Sequence, residues 1–410
     1  MRYLICLIPA ALLGLAACGE PQDAAVRSHL SGRLALDARI DSSSDQSGFE
    51  VLVARGGDDV DTLGYAVTDA DGAFATDVVA PERGIYPLLI SRGGTVLHAG
   101  ELVVADADTA VVNATLPLGN RLLQVRSPEN AAWLALRNTK AQYHQTLTRQ
   151  LQGVGYEETA VRNAVMQTAR ILWSMRETFP GTVGSELAAA EAVAMVGGWD
   201  DSLAVAWAEA VPPADAGYAD AASVARQATA RRDGPEAALA RTRAFQARAT
   251  HPEDQARLQQ EIVLAYKELG EPDSALAAAR RLAADFPDGP FAEWASRASY
   301  ELENLRPGMP APDFTAQTID STTVSLQDLG GRLVLLEFYV PGSPVYLREL
   351  QTRNALGSAF PDGVLEIISV SVEQDGALTE AFLDGRAVPG RHVVLPAGLD
   401  DERARRYNVN

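Results

Sequence analysis

The apolar residues of this chain change their spacing twice, and each spacing admits a different kind of packing. Between residues 28 and 120 they recur at alternate positions in short runs such as "GFEVLVARGG" and "TAVVNATLPLG". Clusters of Gly, Asp and Pro break these runs about every eight to twelve residues. A period of two sends successive side chains to opposite faces of a strand, so this stretch predicts an antiparallel β-sandwich. From 127 to 305 the pattern lengthens into Ala-rich runs at helical spacing. From 306 to 410 strand-like and helix-like runs alternate, which predicts an α/β sheet rich in parallel pairs. At 410 residues the chain also exceeds the ~100–200 residues of one ordinary domain. The predicted fold class is therefore multidomain: β-sandwich, α-helical array, then an α/β domain.

Within the first region, "TDADGAFATDVVAPERGIYPLLIS" places Thr68, Asp69, Gly72, Phe74 and Tyr86 in the pattern of a hairpin followed by a strand with a Tyr. On those residues it resembles the carboxypeptidase regulatory-like domain. Asp69 and Asp71 could suggest calcium, but the spaced ligand series and distal Glu of an EF-hand loop are missing, and a plain turn is the reading.

The middle region repeats itself. "GGWDDSLAVAWAEAVPP", "RDGPEAALARTRAFQARATHP" and "LGEPDSALAAARRLAADFPDGP" align so that Leu203, Leu239 and Leu276 fall 36 and 37 residues apart, near the period of paired-helix solenoids. The last copy resembles a tetratricopeptide repeat through Tyr266, Leu269, Gly270, Ala275 and Pro287. Small residues let two helices approach, and proline stops the second. Trp133, Trp173, Trp199, Trp207 and Trp294 read as core fillers rather than as a ligand cage.

The third region opens on Gly308, Ala311, Pro312 and Phe314 and continues through "SLQDLGGRLVLLEFY" and "IISVSVEQD". It resembles the thioredoxin-like superfamily, with the match to membrane-anchored thiol-disulfide oxidoreductases and to AhpC/TSA-type peroxiredoxins. The pattern predicts a strand near 364–372, a helix near 376–383, a short strand at "RHVVLP" and a helical start in "DDERARRYNVN". With Phe338 and Tyr339 aligned, the resemblance puts Gly342 at the family's Trp and Ser343 and Tyr346 at its two thiols. Pro341, Gly342 and Pro344 then form the remnant of an active loop. Ser343 is expected to cap the following helix, and Tyr346 to pack against neighbouring loops. A serine hydroxyl has no counterpart to two-electron sulfur exchange, so catalysis at these positions is disfavoured. Members of the family continue past a Tyr-x-Val stretch into a cis-proline segment, whereas "RRYNVN" stops at Asn410. The expectation is a fragment; the alternative is that another element completes the sheet.

The N-terminal "MRYLICLIPAALLGLAAC" has one positive charge at Arg2 and an apolar run too short for a comfortable span. It predicts a signal peptide over 1–17, with 18–27 as a linker. The ending "LAAC" resembles the bacterial lipoprotein signal, which implies a lipidated Cys18 and a membrane anchor, with the outer membrane the expected home. Cys6 and Cys18 are the two cysteines of the sequence. The first leaves with the signal and the second is acylated, so none remains for a disulfide, a soft metal or a peroxide.

A net charge of -19 argues against a nucleic-acid partner, which needs clustered Lys and Arg. His29, His98, His144, His251 and His392 are scattered without ligand spacing, so neither a metal nor another cofactor is expected. The expected domains are a sandwich at 28–120, a helical region at 127–305 and an incomplete thioredoxin-like domain at 306–410. The expected work is binding of an envelope protein or peptide by a membrane-anchored lipoprotein. The rival is a thiol-disulfide oxidoreductase or peroxidase, and a third option is a purely structural envelope protein.

Overall fold

The computed structural model describes residues 25–40, 45–56, 61–119, 123–152, 157–361, 363–386 and 388–409. The expected signal peptide, Cys6 and Cys18 lie outside the described residues. The chain divides into two compact units, Met1–Ala228 and Thr229–Asn410. No helix among the described residues is long and apolar enough to cross a membrane.

The first unit begins with eight described strands: β1 (Val26–Leu36), β2 (Phe49–Arg55), β3 (Asp61–Val67), β4 (Ala73–Ala80), β5 (Gly84–Arg92), β6 (Thr95–Val104), β7 (Thr109–Leu116) and β8 (Val125–Arg126). They form two four-stranded sheets, ordered β4-β1-β7-β8 and β3-β2-β5-β6. Alternation explains how β2 sits: Phe49, Val51 and Val53 are buried while Glu50 is exposed. From the other sheet, Leu30, Leu34, Val78 and Val112 join the same apolar cluster. Each such side chain contributes roughly 1.5–3 kcal/mol on burial.

One pairing departs from the antiparallel expectation: β1 and β7 run parallel. Parallel neighbours need a long connection, and the strands between them supply it. At the β3–β4 turn Gly72 has φ +76, and a Cβ there would lie 2.0 Å from the Leu34 carbonyl oxygen. The Asp69 carboxylate accepts from the Asp71 and Ala73 amides at 3.0 and 2.9 Å, so it serves the turn itself.

Helices follow: α1 (Pro128–Leu151), α2 (Glu158–Thr178), α3 (Val183–Val196), α4 (Asp201–Glu209) and α5 (Tyr218–Asp233). Side-chain caps from Ser127, Thr182 and Asp200 start α1, α3 and α4. Two devices bind the sheets to these helices. Asn130 accepts from the Val103 amide at 2.9 Å and donates to its carbonyl at 3.2 Å. Arg83, between β4 and β5, donates to Glu186 at 2.9 Å and to the Gly181 carbonyl at 2.7 Å, and reaches Glu129 at 3.4 Å.

In the second unit α6 (Pro235–Arg248), α7 (Pro252–Glu268), α8 (Pro272–Asp285) and α9 (Pro290–Asn304) each open on a proline. Its missing N–H is one that a first turn leaves unpaired anyway. Leu203, Leu239 and Leu276 fall in α4, α6 and α8, each followed in sequence by a second helix. Leu239, Ile262, Val263, Ala275, Ala279 and Leu302 share one cluster. Trp294 packs against it, while in the first unit Trp173 and Trp207 stack at 4.7 Å.

The remaining elements are a small hairpin, β9 (Thr315–Gln317) and β10 (Thr323–Ser325), then β11 (Leu333–Tyr339), α10 (Pro344–Ala359), β12 (Leu365–Ser371), α11 (Gly376–Leu383), β13 (Arg391–Val394) and α12 (Glu402–Arg406). Strands β11, β12 and β13 form a parallel sheet in that order, with α10 and α11 as crossovers. A bridge from Thr318 to Val393 attaches the hairpin side to β13. Phe314, Ile368, Val370, Val393 and Leu395 centre the core on one side of this sheet.

Candidate functional site

The chain leaves β11 at Tyr339, turns through Val340, Pro341, Gly342 and Ser343, and enters α10 at Pro344. The turn closes through the Ser343 amide donating to the Val340 carbonyl at 3.2 Å, and Gly342 supplies its φ of +74. Pro344 occupies the first helical position.

Ser343 stands at the N-cap but does not do the expected job. Its carbonyl accepts from the Leu347 amide at 2.9 Å, while its hydroxyl makes no cap bond. Tyr346 also corrects its expectation. It is buried, and it packs on a strand and a helix rather than on loops. Its ring stacks on Tyr339 with centroids 4.4 Å apart and planes 23° apart, and meets Phe382 of α11 at 6.0 Å.

Below these rings lies a polar group that the sequence reading did not single out. Glu337, Ser369 and His392 are register partners across β11, β12 and β13. Arg353, from α10 and 7% exposed, donates its Nε to Glu337 at 2.6 Å and also bonds the Ser369 hydroxyl. Ser369 in turn donates to Glu337 at 2.6 Å, and the Tyr346 hydroxyl reaches the same carboxylate oxygen at 3.4 Å. An unpaired charge at this depth would cost several kcal/mol, so each member depends on the others. His392 bonds the Val388 carbonyl through Nε2 at 2.9 Å. Burial holds its pKa below the usual histidine value, and its Nδ1 has no hydrogen-bond partner among the described residues. The signal was present in the sequence as polar residues interrupting apolar strands, Glu337 in "LVLLEFY" and Ser369 in "IISVSV".

The chemistry open to this arrangement is limited. Burial, and then the negative charge of Glu337, push the Tyr346 phenol up to about 12. The Tyr339 phenol is raised for the same first reason, and Tyr346 and Glu337 add to it. Both phenols stay protonated at neutral pH. No cysteine occurs from residue 19 to 410, and no cluster of His, Cys, Asp or Glu that could hold a metal ion is found among the described residues. The loop and the first turn of α10 expose three apolar side chains: Val340, Val345 and Leu347 are 47%, 53% and 44% exposed.

Residues 307–410 match the AhpC/TSA family. No curated protein matches the chain. Among solved structures, the thioredoxin domain of a thiol-disulfide oxidoreductase from Bacteroides vulgatus is similar at 23% identity, covering 24% of this chain and 71% of that one, with a TM-score of 0.23. A thioredoxin-like protein from Bacteroides caccae is similar at 13% identity over 57% of this chain and 79% of that one, with a TM-score of 0.25.

Proposed function

We propose that this chain is an envelope lipoprotein, anchored through Cys18, whose thioredoxin-like domain binds a protein or peptide and transfers no electrons. The observation that carries the reading is the place of Tyr346. Where the resemblance puts the second thiol there is a buried ring stacked on Tyr339 and in tilted contact with Phe382, and where it puts the first there is a serine. The exposed apolar residues Val340, Val345 and Leu347 offer a contact surface at the loop and the start of α10 instead. In this reading the middle helices are tetratricopeptide-like repeats, and the two sheets form a carboxypeptidase regulatory-like sandwich.

The second reading is a thiol-disulfide oxidoreductase or peroxidase, favoured by the AhpC/TSA match over 307–410. A redox assay separates the two. The mature chain carrying Cys18→Ser is expected to reduce neither insulin disulfides nor peroxide above a protein-free control. Turnover by that chain would reject the binding reading.

A further inference from the structure

Strand β6 is the last of its sheet, so one of its sides has no neighbouring strand among the described residues. Successive residues of an antiparallel strand turn their N–H and C=O groups to opposite sides. Both groups of Val103 turn outward, because the Asn130 side-chain amide accepts from one and donates to the other, at 2.9 and 3.2 Å. Alternation then turns the N–H and C=O pairs of Glu101 and Ala99 outward as well, ~6.8 Å apart. No hydrogen bond from a described residue meets them on that side, and both residues are exposed.

Asn130 does at Val103 what the backbone of a further strand would do. It is buried, and the Ser127 hydroxyl fixes its amide at 2.9 Å. Beyond it the edge opens: beside Ala99, Gly100 and Glu101 lies a cavity of about 370 Å³, walled by Leu89, Leu123, Val125, Trp133 and Leu134. At ~30 Å³ per water-sized group it has room for about a dozen non-hydrogen atoms, the main chain of about three residues. Farther along, a register shift opposite Ile90 and Ser91 ends the regular pairing of β6. The open window is therefore 99–101. Proteins guard such edges with charged side chains, but the Glu101 carboxylate is drawn onto α1, accepting from the Trp133 indole at 3.1 Å and from Arg137 at 2.8 Å.

We propose that residues 99–101 of β6 take up an uncharged, extended peptide segment of a partner protein as an added strand. That strand continues the rung at Val103 and lays apolar side chains on the cavity walls. Free N–H and C=O pairs repeating at strand spacing are matched by another extended backbone, whose main chain supplies affinity while alternate side chains supply selectivity. Glu101 and Arg137 neutralise each other, so a charged segment gains nothing there. A second copy fits less well. Its own β6 edge is flanked by α1, and a helix is ~10 Å across where paired strands must approach to ~4.8 Å.

The test uses the peptide acetyl-Ser-Val-Leu-Val-Ser-amide, and the same peptide N-methylated at its central residues, on the mature chain carrying Cys18→Ser. Calorimetry reads the affinity and amide hydrogen exchange reads the site. The expected result is saturable binding of the parent peptide at one site, about tenfold or more tighter than its N-methylated form, with slowed exchange at Ala99 and Glu101. Ala99→Pro removes one outward N–H and leaves the ladder to β5 intact, so it should bring the parent peptide down to the N-methylated level. Absence of saturable binding, equal affinity for the two peptides, or protection confined to other strands would overturn the proposal without reference to any variant. So would exchange at Ala99 that slows with protein concentration alone, which would give the edge to a second copy.

Discussion

Asp215 carries the clearest pH response of any single residue here. Burial raises its carboxyl to about 6, with the charge of Glu186 adding to the effect and Arg176 and Arg83 opposing it. A carboxyl whose folded pKa lies above its unfolded value binds its proton more tightly when folded. Its ionised form therefore costs stability above about pH 6, and the cost disappears as pH falls toward 4. Because the group is partly open to solvent, the effect discounts to about 1 kcal/mol. Asp215→Asn should raise the melting temperature at pH 7.5 and flatten the profile between about pH 6 and 4; a profile unchanged by the substitution would refute this. At Glu337 a sharper contrast is expected. Glu337→Gln leaves Arg353 buried against a weaker partner and should lower the unfolding free energy by about 3 kcal/mol, whereas Glu337→Leu with Arg353→Met together should cost much less. Urea denaturation of the three chains decides between this and a simple sum.

At the scale of elements, the strength of local signals decided what could be read in advance. Helix α11 spans Gly376–Leu383 as expected, because Asp375 caps it and its apolar residues recur at helical spacing. Strand β12 falls within one residue of its expected ends for a similar reason, a dense β-branched run. The grouping of Glu337, Arg353, Ser369 and His392 could not be read so directly. It depends on which residues of three strands share a register, and on a helix side chain reaching a strand sixteen residues earlier. The missing cap of Ser343 and the parallel pairing of β1 with β7 likewise arise from neighbours rather than from composition. Capping itself gives a test. The Ser127 hydroxyl accepts from both the Asn130 amide and its side chain, at 3.1 and 2.9 Å. Ser127→Ala should thus cost ~1–2 kcal/mol, read as a fall of a few degrees in the melting of the first unit, and no fall would show that Asn130 holds α1 unaided.

For the whole molecule the expected anchor is the leading question, and one residue tests it. Cys18→Ser should move the protein from the membrane fraction to the soluble envelope fraction, because a single acyl chain already contributes ~0.8 kcal/mol per buried methylene. Retention in the membrane after that change would remove the lipid anchor from the proposed function. The loop before α10 bears on the compartment as well. A dithiol alters its sulfur spacing whenever it gains or loses a bond, and so registers the oxidising strength of its surroundings. The stacked rings of Tyr339 and Tyr346 have no such second state. Whatever meets Val340, Val345 and Leu347 should therefore find one shape, equally in glutathione-rich and in oxidant-rich media.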